Sequence, residues 1–160
     1  MIHVFDATSA REFNPVTRTI AIRCMSSENG RVYERVKYGE LDSRKYVAIL
    51  PLTFDDILPC MEKSAIGGDR DLIAFKEEQA REIGDFLGAY WGEFEDIMVH
   101  CNGGASRSPA VGAAIGDYFK LEYDPRILEI QENGPNSHVY STLLNSLVYQ
   151  FPDGKISRIH

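Results

Sequence analysis

Several features that mark secreted, membrane-spanning or metal-stapled chains are missing or scarce in these 160 residues. The cysteines Cys24, Cys60 and Cys101 are too few and too scattered for a disulfide framework, and no Cys/His cluster suggests zinc. No apolar run approaches the roughly 18 residues that cross a bilayer, and the first residues lack a basic segment followed by an apolar one. We therefore expect a cytoplasmic protein with reduced thiols and no membrane partner.

Positive charge is also in short supply. Lys and Arg number 17 against 24 Asp and Glu, so the net charge is -7. Proteins that bind nucleic acids neutralise phosphates with clustered Lys and Arg, and the basic residues here are dispersed. Nucleic acid is thus not an expected partner, and any anion site must be local. The length and the ordinary globular composition predict one domain over residues 1–160.

Short apolar runs and helical patterns alternate along the chain. Strands are predicted at Ile2–Phe5, Thr19–Arg23, Tyr46–Leu52 and Asp96–His100. Helices are predicted at Asp71–Trp91, from Arg107 to Lys120 with Pro109 in the first turn, at Pro125–Gln131 and at Ser137–Gln150. This order implies crossover connections between parallel strands. The predicted fold class is α/β, with a central, mainly parallel sheet of four to five strands and helices on both faces.

The segment HCNGGASRS, residues 100–108, combines several groups that bind anions. Cys101 directly follows a buried strand, Arg107 stands at the mouth of a helix, and Gly103 and Gly104 lie between them. Backbone N–H groups at a helix start and in a glycine-rich turn converge on one anion, and an arginine fork holds two phosphoryl oxygens. A cysteine in such surroundings is favoured as thiolate. The pattern predicts a phosphate-binding loop with Cys101 as nucleophile and Arg107 as clamp.

The segment matches, position for position, the protein tyrosine phosphatase signature of His, Cys, two residues, Gly, two residues, Arg and Ser or Thr. The resemblance is specific over residues 46–120 and is to small bacterial and dual-specificity-like members of that superfamily. It implies the family fold and hydrolysis of a phosphomonoester through a cysteinyl-phosphate, without metal or organic cofactor. The implied substrate is a phosphorylated protein, tyrosine-only or dual-specificity, or a small phosphomonoester.

The same resemblance assigns roles inside the loop. It implies that Ser108 steadies the departing thiolate and that His100 orders the loop through its ring hydrogen bonds. The phosphate oxygens are then bound by backbone amides of Asn102, Gly103, Gly104, Ala105, Ser106 and Arg107. The residues between Cys101 and Arg107 are uncharged, which disfavours polyphosphorylated substrates.

An aspartate upstream of the cysteine serves as general acid in this family. The segment VAILPLTFDDILP resembles the strand and acid loop of small members, which makes Asp56 the first candidate and Asp55 the second. Asp69 is a rival nearer to the cysteine, whereas Asp71 also suits a helix cap. The turn ENGPNS resembles a proline-asparagine turn that opens the last helix of small members close to the phosphate loop.

Two other functions stay open from the sequence. A rhodanese-like sulfurtransferase also sets a cysteine in an anion-binding loop at a helix start, although the flanking His and Arg-Ser disfavour it. A phospho-binding module without turnover would need loss of the nucleophile, the arginine or the acid. Cys60 is a thiol that could pair with Cys101 under oxidation, although a filler role is favoured.

Overall fold

A computed structural model of the chain describes residues 1–27, 39–59, 72–125, 127 and 135–156. Its strands are β1 (Ile2–Phe5), β2 (Thr19–Met25), β3 (Ala48–Thr53) and β4 (Asp96–His100). Its helices are α1 (Ala7–Glu12), α2 (Glu77–Tyr90), α3 (Arg107–Phe119) and α4 (Ser137–Gln150), and a 3-10 turn covers Ser43–Lys45. Within these ranges, no helix has both the length and the apolar character needed to cross a membrane.

The strands form one all-parallel sheet in the order β1-β4-β2-β3. Strand β4 is central, and its Val99 pairs with Val4 of β1 and with Ile22 of β2. The predicted α/β class with a parallel sheet is confirmed, with four strands among the described residues. Because all strands run the same way, the segments that follow them meet at one edge of the sheet. We call this the carboxyl edge.

Side chains alternate between the two faces of the sheet, as strand geometry requires. Ile22 and Val99 belong to the larger core, which α2, α3 and α4 cover. Ala21 and Met98 point the other way and pack with Ala10 of α1. Helices therefore lie on both faces, as predicted, but most of the apolar burial is on one of them.

Helix α3 lies between the sheet and α4, so it is buried on almost every side. Its sequence RSPAVGAAIGDYF is rich in small side chains, which allow the close approach that this position demands. The helix begins at Arg107, directly after a loop that leaves the central strand β4. Its positive N-terminal end is thereby fixed at the carboxyl edge.

The long helix starts later than its sequence pattern predicts. It begins at Glu77 instead of Asp71, and the Gln79 side chain accepts a hydrogen bond from Lys76 N at 2.9 Å at its start. The preceding residues are used for packing, since Phe75 is buried against Phe54 with ring centroids 4.8 Å apart. Tertiary packing has here overridden local periodicity.

Three strand bounds also differ from prediction, and some predictions cannot be compared. Strand β2 continues to Met25 and β3 to Thr53. Strand β3 begins at Ala48, because Tyr46 instead ends the 3-10 turn. Outside the described residues lie Cys60, Asp69, Asp71 and most of the predicted helix Pro125–Gln131.

Candidate active site

The candidate site is the loop of residues 101–106, which joins β4 to α3 at the carboxyl edge. Cys101 is the first residue of the loop and Arg107 directly follows it, and they are 2% and 4% exposed. The start of the loop is fastened to the neighbouring strand and helix: Cys101 N donates to Phe5 O at 3.4 Å, and Asn102 O accepts from Ala7 N at 3.1 Å. The loop is therefore built onto the ends of β1 and β4.

Two groups from the loop and helix approach the sulfur of Cys101. Gly104 N donates a hydrogen bond to Sγ at 3.2 Å, and Ser108 Oγ lies 3.1 Å from Sγ. Ser108 is fully buried in the first turn of α3, whose dipole favours negative charge at that end. The loop thus curls around the sulfur with donors that suit an anion.

Gly104 is required by the path of the loop. Its φ is +67°, in the left-handed region that favours glycine. A Cβ at this position would lie 2.7 Å from Asp6 N and 2.9 Å from the carbonyl carbon of Phe5, and backbone atoms cannot swing aside. The neighbouring Gly103 differs, because a Cβ there would meet nothing within 4 Å. Of these two loop glycines, Gly104 is the one at which the close backbone leaves no room for a Cβ.

The Arg107 guanidinium is held from two neighbouring strands. Its Nη1 donates to Ser26 Oγ and to Phe54 O, both at 3.0 Å. Ser26 follows β2 and Phe54 follows β3, so both reach the loop from the carboxyl edge. Sequence reasoning missed Ser26. Its position just after a predicted strand was the available signal, since parallel strands bring such residues together.

Asp56 lies at the open side of the same loop. Its Oδ1 accepts hydrogen bonds from Ser106 Oγ at 2.8 Å and from Asn136 Nδ2 at 2.9 Å. Ser106 is the last loop residue before Arg107, and Asp56 is exposed to solvent. The first candidate for the general acid is therefore in contact with the phosphate-loop residues that were predicted from sequence.

Asn136 connects three parts of the chain at this point. Besides its bond to Asp56, its backbone N donates to Ser106 O at 3.1 Å. Its Oδ1 accepts from His138 N and Val139 N, both at 3.1 Å, and so caps α4. The turn ENGPNS was noted in the sequence, but Asn136 itself was not among the predicted site residues.

Asp55, the second candidate acid, has different surroundings. It is 4% exposed, and its carboxylate accepts from Ser27 N at 3.1 Å, Ser27 Oγ at 2.7 Å and Ile73 N at 2.8 Å. Three donors compensate the burial of the charge. Neither Ser27 nor Ile73 belongs to the loop, so these contacts give Asp55 a structural task.

His100 is fully buried beneath the loop and contacts a buried arginine. Arg23 Nε donates to His100 Nε2 at 2.9 Å. Burial, and then the charge of Arg23, lower the pKa of His100 to about 4, although an interaction with the backbone of Cys101 acts to raise it. The ring is therefore neutral at pH 7. Arg23 was missed at the sequence level, where its signal was a charge inside the apolar run TIAIRC.

Cys24 is a second buried thiol near the site. Burial raises its pKa, and the charge of Cys101 raises it further, while Arg107 acts in the opposite direction. Cys24 is fully enclosed in the larger core. It therefore stays a neutral thiol and makes a natural control for Cys101.

The arrangement combines a sulfur nucleophile, a buried cation, a hydroxyl group and an exposed carboxylate around one loop. Such a set suits a tetrahedral oxyanion at a helix start. In the part of the chain that the structure describes, no group of three or more His, Cys, Asp or Glu could hold a metal ion.

Comparisons with known proteins add little to this geometry. No family model matches the chain, and no curated protein matches it. Comparison with solved structures finds a likeness to "Crystal structure of Tk-PTP in the active form", at 18% sequence identity and a TM-score of 0.40, covering 92% of this chain and 84% of that one. A superposition this loose does not identify a function for this chain.

Proposed function

We propose that this chain is a phosphomonoester hydrolase of the protein tyrosine phosphatase kind, with Cys101 as nucleophile. The observation that carries the proposal is the position of Cys101 Sγ. It accepts a hydrogen bond from Gly104 N and lies 3.1 Å from Ser108 Oγ, inside the loop that ends at Arg107. The motif HCNGGASRS supplies the residue types that this chemistry needs.

The phosphoryl group binds in the loop, where the backbone amides of residues 102–107 and the N-terminus of α3 meet its oxygens. Arg107 adds a charge-assisted clamp, already oriented by Ser26 and Phe54. Because residues 102–106 are uncharged, the loop suits a single phosphate group more than a polyphosphorylated substrate.

The first chemical step is attack of the Cys101 thiolate on phosphorus. The S–P bond forms as the P–O bond to the leaving group breaks, and protonated Asp56 donates its proton to the departing oxygen. In the second step water attacks phosphorus and gives a proton to the Asp56 carboxylate. The S–P bond then breaks, Ser108 Oγ stabilises the released thiolate, and inorganic phosphate leaves.

The exposed position of Asp56 bears on the class of substrate. An acid at the open side of the loop can reach the oxygen of a phosphotyrosine side chain presented by another protein. We therefore favour a phosphorylated protein, with tyrosine-only and dual specificity both compatible with the site. The same residue argues against a rhodanese-like reaction, because sulfur transfer has no oxide leaving group to protonate.

The test compares two cysteine variants on para-nitrophenyl phosphate and on a phosphotyrosine peptide. Cys101→Ser is expected to lower kcat/KM by roughly a thousandfold or more, because it removes the nucleophile. Cys24→Ala removes the neighbouring buried thiol and is expected to keep most of the activity. Circular dichroism of both variants checks that they are folded.

Three results would point elsewhere. Full activity in Cys101→Ser contradicts the cysteinyl-phosphate mechanism. Sulfur transfer from thiosulfate without phosphate release supports the sulfurtransferase alternative. Binding of the phosphotyrosine peptide by the wild type without any turnover supports a phospho-binding module.

A further inference from the structure

We propose that Arg23 is a positioning residue for the phosphate loop, acting through His100. By donating to His100 Nε2 it selects the ring tautomer in which Nδ1 carries the proton. The catalytic consequence rests on the proposed function, whereas the tautomer itself follows from the contact between the two side chains.

The pair is built by strand register. Arg23 of β2 and His100 of β4 are direct partners in the parallel ladder, so their side chains leave the sheet on the same face. This is the face of Ala21 and Met98, opposite the larger core that contains Cys101. Arg23 is 7% exposed and His100 is fully buried. The contact is thus shielded from water below the loop.

The guanidinium is held in place by a second bond. Arg23 Nη2 donates to Gly39 O at 2.8 Å, while Nε donates to His100 Nε2 at 2.9 Å. A buried arginine is retained at the cost of desolvation, which here is offset by directed hydrogen bonds. Its direction toward His100 therefore does not depend on the histidine alone.

The chemistry of arginine leaves one possibility for the ring. A guanidinium only donates, so His100 Nε2 must accept and keep its lone pair. The proton of the neutral ring is then on Nδ1. The ring also interacts with the backbone of Cys101, and the charge of Arg23 opposes a second ring proton. Arg23 thus selects the tautomer and, after burial, helps to keep the ring neutral.

This selection matters because His100 directly precedes the nucleophile. The ring interacts with the backbone of Cys101, so a ring fixed in one tautomer helps to hold the backbone from which Sγ and the first loop amides extend. Without Arg23, the ring can exchange tautomers or take up a second proton. Misplacing a nucleophile by a fraction of an ångström slows the reaction more than it weakens binding.

The matched test uses two side chains of similar length. Lys keeps a group that can only donate hydrogen bonds, and Met places a carbon atom at the position of Arg23 Nε. In histidine-labelled protein, 15N NMR distinguishes a protonated from an unprotonated ring nitrogen. Wild type and Arg23→Lys are expected to show protonated Nδ1 and unprotonated Nε2 for His100. Arg23→Met is expected to show mixed tautomers and a kcat about tenfold lower, with a smaller change in KM.

Several outcomes decide the proposal. A wild-type spectrum with the proton on Nε2 overturns it without any variant, as does an Arg23→Met protein with unchanged tautomer and kcat. Should Arg23→Met not fold, the wild type and Arg23→Lys still provide the test. A protein that shows the predicted tautomers but hydrolyses no phosphomonoester contradicts the proposed function and supports the role of Arg23 in setting the ring.

Discussion

The loop has two sides that are built in different ways. Its floor, formed by His100, Cys101, Arg107 and Ser108, is at most 4% exposed and is held by groups that follow or belong to the parallel strands. Its rim is formed by the exposed Asp56 and the half-buried Ser106 and Asn136, and it is held by side-chain hydrogen bonds to Asp56. Under the proposed function, the nucleophile and the clamp are held rigidly, whereas the proton donor has access to solvent.

The sharpest contrast between a buried group and the rim is that between the adjacent residues Asp55, which is buried, and Asp56, which is exposed. Asp56→Asn is expected to lower kcat/KM on a phosphotyrosine peptide about 100- to 1000-fold, because a general acid is lost. The loss should be smaller on para-nitrophenyl phosphate, whose leaving group needs less protonation. Asp55→Asn is expected to cost about 2 kcal/mol in the free energy of unfolding, since an amide cannot accept all three donors. Peptide kinetics and urea unfolding of both variants measure these effects.

The aspartate comparison would be broken by the reverse pattern. An inactive Asp55→Asn protein of normal stability, beside a fully active Asp56→Asn protein, moves the acid to Asp55. Normal kinetics in both variants remove the acid from this segment, and Asp69 becomes the next residue to substitute.

The floor can be disturbed without touching a reacting group. Gly104→Ala forces a Cβ against backbone atoms of Phe5 and Asp6, so the loop must shift. We expect kcat/KM to fall on the order of 100-fold, because a shift of about 1 Å misplaces the amides around Sγ. Gly103→Ala is the matched control and should lose much less, because its Cβ meets open space. Steady-state kinetics on para-nitrophenyl phosphate compares them, and equal losses would contradict a specific demand at Gly104.

The floor should also respond to acid through His100. The pKa of His100 is lowered from 6.5 to about 4 in the folded protein, so the unfolded chain binds this proton more tightly. The stability from a neutral His100 is full above pH 6.5 and is lost as the pH falls toward 4. From this residue alone, the free energy of unfolding should drop by about 2 kcal/mol between about pH 7 and 5.

Urea unfolding of wild type and His100→Gln at a series of pH values isolates the histidine contribution. The variant retains every other titrating group, so the difference between the two pH profiles belongs to His100. Parallel profiles would show that the buried ring does not titrate as its surroundings require.

The sequence was informative where the signal is local. Apolar runs located β1 and β4 with the observed bounds, and HCNGGASRS identified the loop, because a strand, a turn and a helix start are written in consecutive residues. The choice between Asp55 and Asp56 was only ordered, not decided. The two aspartates point to different sides of one turn. Ser27 binds Asp55 and Asn136 binds Asp56, and both partners are far away in the chain.

The features that sequence reasoning missed are all contacts between distant segments. Arg23 contacts His100 through the register of β2 with β4, and Ser26, directly after β2, contacts Arg107; no single segment encodes either contact. The start of α2 was misplaced because Phe75 is needed in the core beside Phe54. The apolar periodicity predicts a helix that starts at Asp71, whereas the packing of Phe75 delays the start to Glu77.

The contacts of Asn136 have a consequence for how the protein matures during synthesis. Asp56 is separated from Ser106 by 50 residues and from Asn136 by 80. As the chain emerges from the ribosome, the strand segments and residues 101–106 are made first, and Asp56 gains its hydrogen bond from Asn136 only when α4 docks. Closure of so long a connection is slow relative to local folding. Full activity is therefore expected to lag behind formation of the sheet, so catalysis reports completion of the last helix.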